Sequence, residues 1–179
     1  MNNDRLFRSI PPSQLPVTTA DVREHLVISD VSQDAYLERL VAAATAMIDG
    51  PDGIGIALMP QTYEMVVDGL TSPIRIPIYP VRTVEGIAWE DENGSHSTTT
   101  EFRLIKSTGT VHHDLSASAL PDSVIVTFTA GYDVVPADLR HAVLMLVGHL
   151  YENREATAST KLERVPFAVE SILSRYRVA

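Results

Sequence analysis

The sequence predicts an α+β protein, a small helical bundle with two helices from each end of the chain and an antiparallel all-β insertion between them. Three observations carry this. Val124 to Ala130 alternates, with Val124, Val126 and Phe128 on one face and Ile125, Thr127 and Thr129 on the other, as a strand with one buried face does. Past Gly131 and Pro136 the period changes: Leu139, Ala142, Val143, Leu146, Val147, Leu150 and Tyr151 recur at spacings of three and four, the stripe of a core helix. Upstream, from Gly53 to Ala130, alternation persists with no helical stretch between the strands, so pairing must be antiparallel.

In chain order, residues 1–16 read as a flexible N-terminal arm. Met1 to Arg8 carries charges and is followed by Pro11, Pro12 and Pro16 where a signal peptide would have its apolar core. Residues 17–52 supply the first two helices. Thr18 with Asp21 three residues later is a capping-box pattern for Ala20 to Leu26. Asp30 with Gln33, or Ser32 alone, caps a second helix that runs to about Asp49 before Gly50-Pro51 ends it. Its alanines at 42 to 44 and Ala46 leave little bulk, a place for the helix from Leu139 to approach closely.

Residues 53–132 form the insertion. Tyr63, Met65 and Val67 alternate with Glu64, Val66 and Asp68, and Ile74, Ile76 and Ile78 with Arg75, Pro77 and Tyr79; Pro77 lacks an N–H, so its strand should lie at an edge or carry an irregularity there. Val84 to Glu90 leads into the Asp91-Glu92-Asn93-Gly94 turn and a return strand, Phe102 to Ile105 and Thr110 to His112 flank a Ser-Thr-Gly turn, and Val124 to Ala130 closes a series of about six or seven strands. Residues 133–179 return to helix. Ala156 to Lys161 reads as a mobile loop, and Pro166 starts a last helix with Val169, Ile172, Leu173 and Tyr176 on one face.

Composition bounds function. With 179 residues, 45% of them hydrophobic, the chain can bury roughly 70% of its unfolded surface. It has no apolar run near the ~20 residues needed to cross a bilayer. There is no cysteine, hence no disulfide and no thiolate chemistry, which fits a reducing cytoplasm without demanding it. The net charge of −9 argues against a protein that grips nucleic-acid phosphates.

The candidates for chemistry are few. His141, His149 and Glu152 share one helix, but His141 lies about 12 Å along the axis from His149, too far to share one ion. His112 and His113 are successive strand residues and diverge, leaving one His near Asp114. No serine elbow, phosphate-cradling glycine loop or His-Glu-x-x-His motif occurs. No catalytic, cofactor or metal site is therefore assigned; a hydrolase using these histidines with a metal is the weakest of the readings kept open. Tyr151, Glu152, Asn153, Arg154 and Glu155 are either a solvated helix end or a subunit contact, since Tyr and Arg are enriched at interface centres. Arg175 and Arg177 complement a helix C-terminus, and with Tyr176 between them they equally suit docking onto an acidic partner.

Gly131-Tyr132, Val135-Pro136, Leu139, Ala142, Leu146 and Tyr151 to Glu155, in that order, resemble the signature of tailed-phage head-tail connector (adaptor) proteins, which also occur in prophages and gene transfer agents. Thr18 to Leu26, Leu40 to Ile48, Gln61 to Asp68 and Pro166, Leu173, Tyr176, Arg177 follow the family's order, so the resemblance spans about residues 15 to 178. Many relatives place a Trp before the Tyr of that helix; this chain has Leu150. The resemblance implies a virion protein at the head-tail junction: a ring of about a dozen copies under the portal, continuing the DNA channel without gripping the duplex, and docking the next component. A neighbouring stopper or tail-completion factor is the alternative. Tyr151 to Glu155 and Arg175 to Arg177 would be its contacts with neighbouring subunits or portal.

Overall fold

The computed structural model describes residues 5–68, 72–90, 96–113, 123–153 and 167–177. The chain divides into two compact units, Met1–Ser13 with Pro60–Tyr132, and Gln14–Met59 with Asp133–Ala179. The predicted α+β class and β insertion are both observed. The Asp91 to Gly94 turn, Asp114, the 156–161 loop and Pro166 lie outside the described residues.

The first unit is all β. Its five-stranded sheet has the order β1-β2-β8-β4-β5, made of β1 (Leu6–Ile10), β2 (Gln61–Asp68), β8 (Ser123–Ala130), β4 (Val81–Glu90) and β5 (His96–Thr99), every pair antiparallel. The strand from Val124 lies in the middle, and its predicted alternation holds: Val124, Val126, Phe128 and Ala130 are buried, and Ile125 is exposed. Register sets Tyr63 opposite Phe128, and their rings stack with centroids 5.5 Å apart. Such a pair adds about 0.5–1.5 kcal/mol beyond its buried area.

A second sheet, order β3-β7-β6, contains β3 (Ile74–Arg75), β7 (Thr110–His113) and β6 (Phe102–Ile105). β3 is an edge strand of two residues that stops short of Pro77, as the missing donor requires. Beyond it the chain stays attached through the Ile76 N–H to the Gly109 carbonyl at 2.8 Å. Gly109 has φ +56°, and a Cβ there would press on the Tyr79 hydroxyl, so only glycine closes this turn without strain.

One expectation is corrected here. Residues 6–10, expected in a flexible arm, form β1 against β2, with Phe7 opposite Glu64 and a bulge between Arg8 and Ile10. Arg5 pairs with Asp68, and the Arg8 guanidinium lies 5.9 Å from the Tyr63 ring centroid. Only Leu6 of the five is even half-buried. Backbone pairing holds this strand rather than core packing, which leaves no hydrophobic period in its sequence.

The second unit is helical: α1 (Thr19–Leu26), a 3-10 turn (Val31–Gln33), α2 (Asp34–Ala46), α3 (Ala137–Glu152) and α4 (Phe167–Leu173). The Thr18–Asp21 capping box is present, with Asp21 N–H to Thr18 Oγ1 at 3.1 Å and Thr18 N–H to Asp21 Oδ2 at 2.8 Å. Asp30 caps the 3-10 turn through the Ser32 N–H. α3 is central and packs on α1, α2 and α4 through Leu139, Ala142, Val143, Leu146 and Val147, all buried.

Here the alanine expectation fails in part. α2 does pack on α3, but Ala42, Ala43 and Ala46 are exposed and only Ala44 lies in the core beside Leu37, Val41 and Thr45. The run of four small residues spans the circumference of the helix and so cannot form one stripe. α2 also ends at Ala46, three residues early. The chain then folds back on itself: the Asp49 carboxylate accepts the Leu58 N–H at 2.7 Å, the Gly50 N–H donates to the Ile56 carbonyl at 2.6 Å, and Ile48, Ile56, Ala57 and Leu58 are buried. Residues 53–59 consequently join the helical unit and not the β insertion.

Candidate functional site

The end of α3 is more constrained than a solvated helix terminus. Tyr151 follows the core stripe by one turn, is half-buried, and donates its hydroxyl to Gln33 Oε1 at 3.2 Å. Its ring lies 6.2 Å from that of Tyr36, over which the Arg39 guanidinium sits at 5.8 Å. Tyr151 thus ties the C-terminal end of α3 to the start of α2. Asn153 is the C-cap: its backbone N–H and its Nδ2 both donate to the His149 carbonyl, at 3.1 and 2.8 Å. Glu152 is exposed. Arg154 and Glu155 lie outside the described residues.

The C-terminal tip is tied in as well. Tyr176 donates its hydroxyl to Asp138 Oδ1 at 2.7 Å, and Arg175 Nη2 donates to Asp138 Oδ2 at 3.0 Å. Asp138 Oδ1 also accepts the Leu139 N–H at 2.9 Å. The Tyr176 hydroxyl is the main reason that the Asp138 carboxyl is held below the usual aspartate range, with the Leu139 N–H and the Arg175 charge adding to it. Arg177 is exposed. Asp138 and Tyr151 are thirteen residues apart on one helix, about 20 Å, so the two predicted clusters do not form one site; they sit at opposite ends of α3.

Asp138 is the residue that sequence reasoning missed. Two positions after Pro136, it reads as an acidic group in a helix's first turn, which is a sufficient local reason for it. Nothing local signals that it also receives two side chains from the far end of the chain. A similar polar tie joins α1 to α3: Arg140 Nη2 reaches Asp21 Oδ2 at 3.2 Å, and the rings of His25 and His141 meet edge to face at 6.0 Å. The Asp21 carboxyl is also held below its usual range, first by the hydrogen bond from the Thr18 backbone.

The histidines do not converge. His141 meets His25, His149 contributes its carbonyl to the Asn153 cap, and on β7 His113 is buried while His112 is half-exposed, so the two diverge as strand neighbours must. Among the described residues no group of three or more His, Asp or Glu side chains is placed to hold a metal ion. The surface of the described residues offers charge, hydrogen bonding and exposed apolar side chains.

The fold is an all-β unit joined to a helical one. Residues 17–179 match the model of the Head completion protein (HCP) family. The chain belongs to the head completion protein family and is a structural protein of the virion, as the resemblance in its sequence implied. No curated protein matches it. Among solved structures it is similar to a chain in the neck of an empty gene transfer agent (GTA) particle computed with C6 symmetry, with TM-score 0.76 and 24% identity over 97% of this chain and 95% of that one. It is also similar to a chain of the native GTA virion, at 0.68 and 22%, and to one in the neck of the native particle computed with C12 symmetry, at 0.67 and 24%, each with the same coverage. At these identities the likeness is one of fold. No described helix is long and apolar enough to cross a membrane.

Proposed function

We propose that this protein is a connector at the head-tail junction, one subunit of a ring of about a dozen that binds beneath the portal, continues the DNA channel and receives the next neck or tail component. The observation that carries this reading is the family match across residues 17–179. Two others support it: neck chains of GTA particles share the fold over nearly the whole chain, and those necks were computed with C6 and C12 symmetry, both of which a twelve-membered ring can satisfy. The net charge of −9 fits a channel component past which duplex DNA slides, because a strongly basic wall would hold the phosphates. A stopper or tail-completion factor is the neighbouring reading, since the family name also suits a protein added after the connector.

Order of binding separates the two. Purified portal mixed with an excess of this protein and viewed by electron microscopy will show an added ring on one portal face. A protein that leaves portal bare but binds a portal already carrying another neck protein is the later factor, and the connector reading is then wrong.

A further inference from the structure

In each sheet of the β unit one face is buried and the other is partly exposed, and the exposed side chains of the two sheets differ in charge. On the five-stranded sheet, Tyr63, Met65, Val126 and Phe128 point into the core, so their strand neighbours point out. The register puts Phe7 beside Glu64, Ile10 beside Thr62, and Val66 beside Ile125 on this outer face. Phe7, Ile10 and Ile125 are 55%, 60% and 41% exposed, three of the large apolar side chains that the described residues leave in solvent. Carboxylates near them are Glu64, Glu85, which accepts from Thr129 Oγ1 at 2.9 Å, and Glu90; Asp68 is matched by Arg5, and Arg82 on β4 is a further cation of this sheet.

The other sheet has the opposite balance. Ile74 and Val111 are buried, whereas Arg75, paired with the buried Thr110, and Arg103, paired with the half-buried His112, are exposed. Lys106 in the turn after β6 is exposed as well, and beside these three cations the exposed Glu101 immediately before β6 supplies a carboxylate.

We infer that these faces meet between successive copies of this chain, the apolar, acidic face of one subunit against the basic face of the next. The inference rests on the ring proposed above and names the surfaces that close it. An apolar patch rimmed by charge marks a surface that another protein covers, and the rim sets partner and register. Two acidic faces repel each other, so a copy cannot pair through the same patch twice. A different patch on each side gives a heterologous contact, which produces a ring once the rotation closes.

Because the chain has no cysteine, the contact can be tested with a Phe7→Cys, Arg103→Cys double variant assembled on portal and then oxidised. The expected result is a covalent ladder extending to the full ring, absent without portal. Arg103→Glu and Glu64→Arg should each lower the ring yield about ten-fold, and the two together should restore it. Melting curves matching wild type establish that the variants fold, and Arg75→Glu serves if Arg103→Glu does not. Rings of the double-cysteine variant that give no ladder on oxidation, with both reversals assembling normally, overturn the inference and leave the ring standing. Rings that persist in Arg103→Glu while duplex DNA binding is lost assign the basic face to DNA and overturn it too. Failure of the wild type to form rings on portal removes the ring reading itself, a separate result.

Discussion

The Tyr176 hydroxyl donates to Asp138 Oδ1 at 2.7 Å, joining positions 38 residues apart and fastening the chain's C-terminal tip to the first turn of the central helix. A segment that in the sequence offers itself as a docking tip is, in the folded subunit, part of what holds α4 against α3.

Removing that hydroxyl tests the fastening. Tyr176→Phe keeps the ring and loses a partly exposed, charge-assisted hydrogen bond, an expected cost of about 1 kcal/mol, or a fall in Tm of about 2–4 °C. Arg177→Ala, at an exposed position, should leave the melting curve unchanged. If the tip also docks, Arg177→Ala lowers attachment to portal in a pull-down; equal recovery of variant and wild type removes Arg177 from the interface.

Acid should loosen the helical unit through its depressed carboxyls. Asp21 and Asp138 both sit below the ordinary value of 3.8 in the folded state, the first through the Thr18 backbone bond and the second through Tyr176. A lowered folded-state pKa contributes stability that is fully present above the unfolded value and is lost as pH falls through the folded one. Urea midpoints of wild type and of an Asp21→Asn, Asp138→Asn variant should therefore differ at pH 7 and converge as pH falls below about 3.8. A gap that persists unchanged at pH 2 contradicts this.

Two glycines should respond oppositely to alanine. A Cβ on Gly53 would run into the Ile48 carbonyl, backbone that cannot yield, so Gly53→Ala should cost about 1–3 kcal/mol or more. On Gly148 the nearest atoms are Leu26 Cδ2 at 3.5 Å and His25 Nε2 at 3.8 Å, ordinary contact distances. In the interior of α3, Gly148→Ala should be neutral or stabilise by up to about 1 kcal/mol. Denaturant midpoints of the two variants measure both, and a strongly destabilised Gly148→Ala would mean that α1 sits tighter on α3 than these distances allow.

The polar end of α3 separates folding from assembly. Tyr151→Phe removes the bond to Gln33 and should lower stability by about 1 kcal/mol, whereas exposed Glu152→Ala should change it by less than about 0.5 kcal/mol. If residues 152–155 make the proposed subunit contact, Glu152→Ala and Arg154→Ala reduce the number of completed particles. Arg154→Lys then distinguishes bidentate pairing from charge alone, because Lys keeps the charge and lacks the planar fork. Wild-type particle counts for all three would place the segment outside the interface.

What the sequence determined is what a local period or a local cap can express. The alternation of Val124 to Ala130 reports one buried face whatever sheet receives it, the stripe from Leu139 to Val147 reports a core helix, Thr18 with Asp21 closes a box within one turn, and Pro77 keeps its strand at an edge for want of an N–H. Tertiary structure decided what depends on partners distant in sequence. β1 escaped because it pairs through its backbone and buries almost no side chain; Ala42, Ala43 and Ala46 face solvent because burial selects only one side of a helix. The ties from Tyr151 to Gln33 and from Tyr176 to Asp138 span 118 and 38 residues, and each end has an adequate local explanation without the other. The same holds for the acidic and basic faces of the β unit. Carboxylates on different strands, like arginines on different strands, acquire a common face only when register aligns their strands, and register is a property of the assembled sheet.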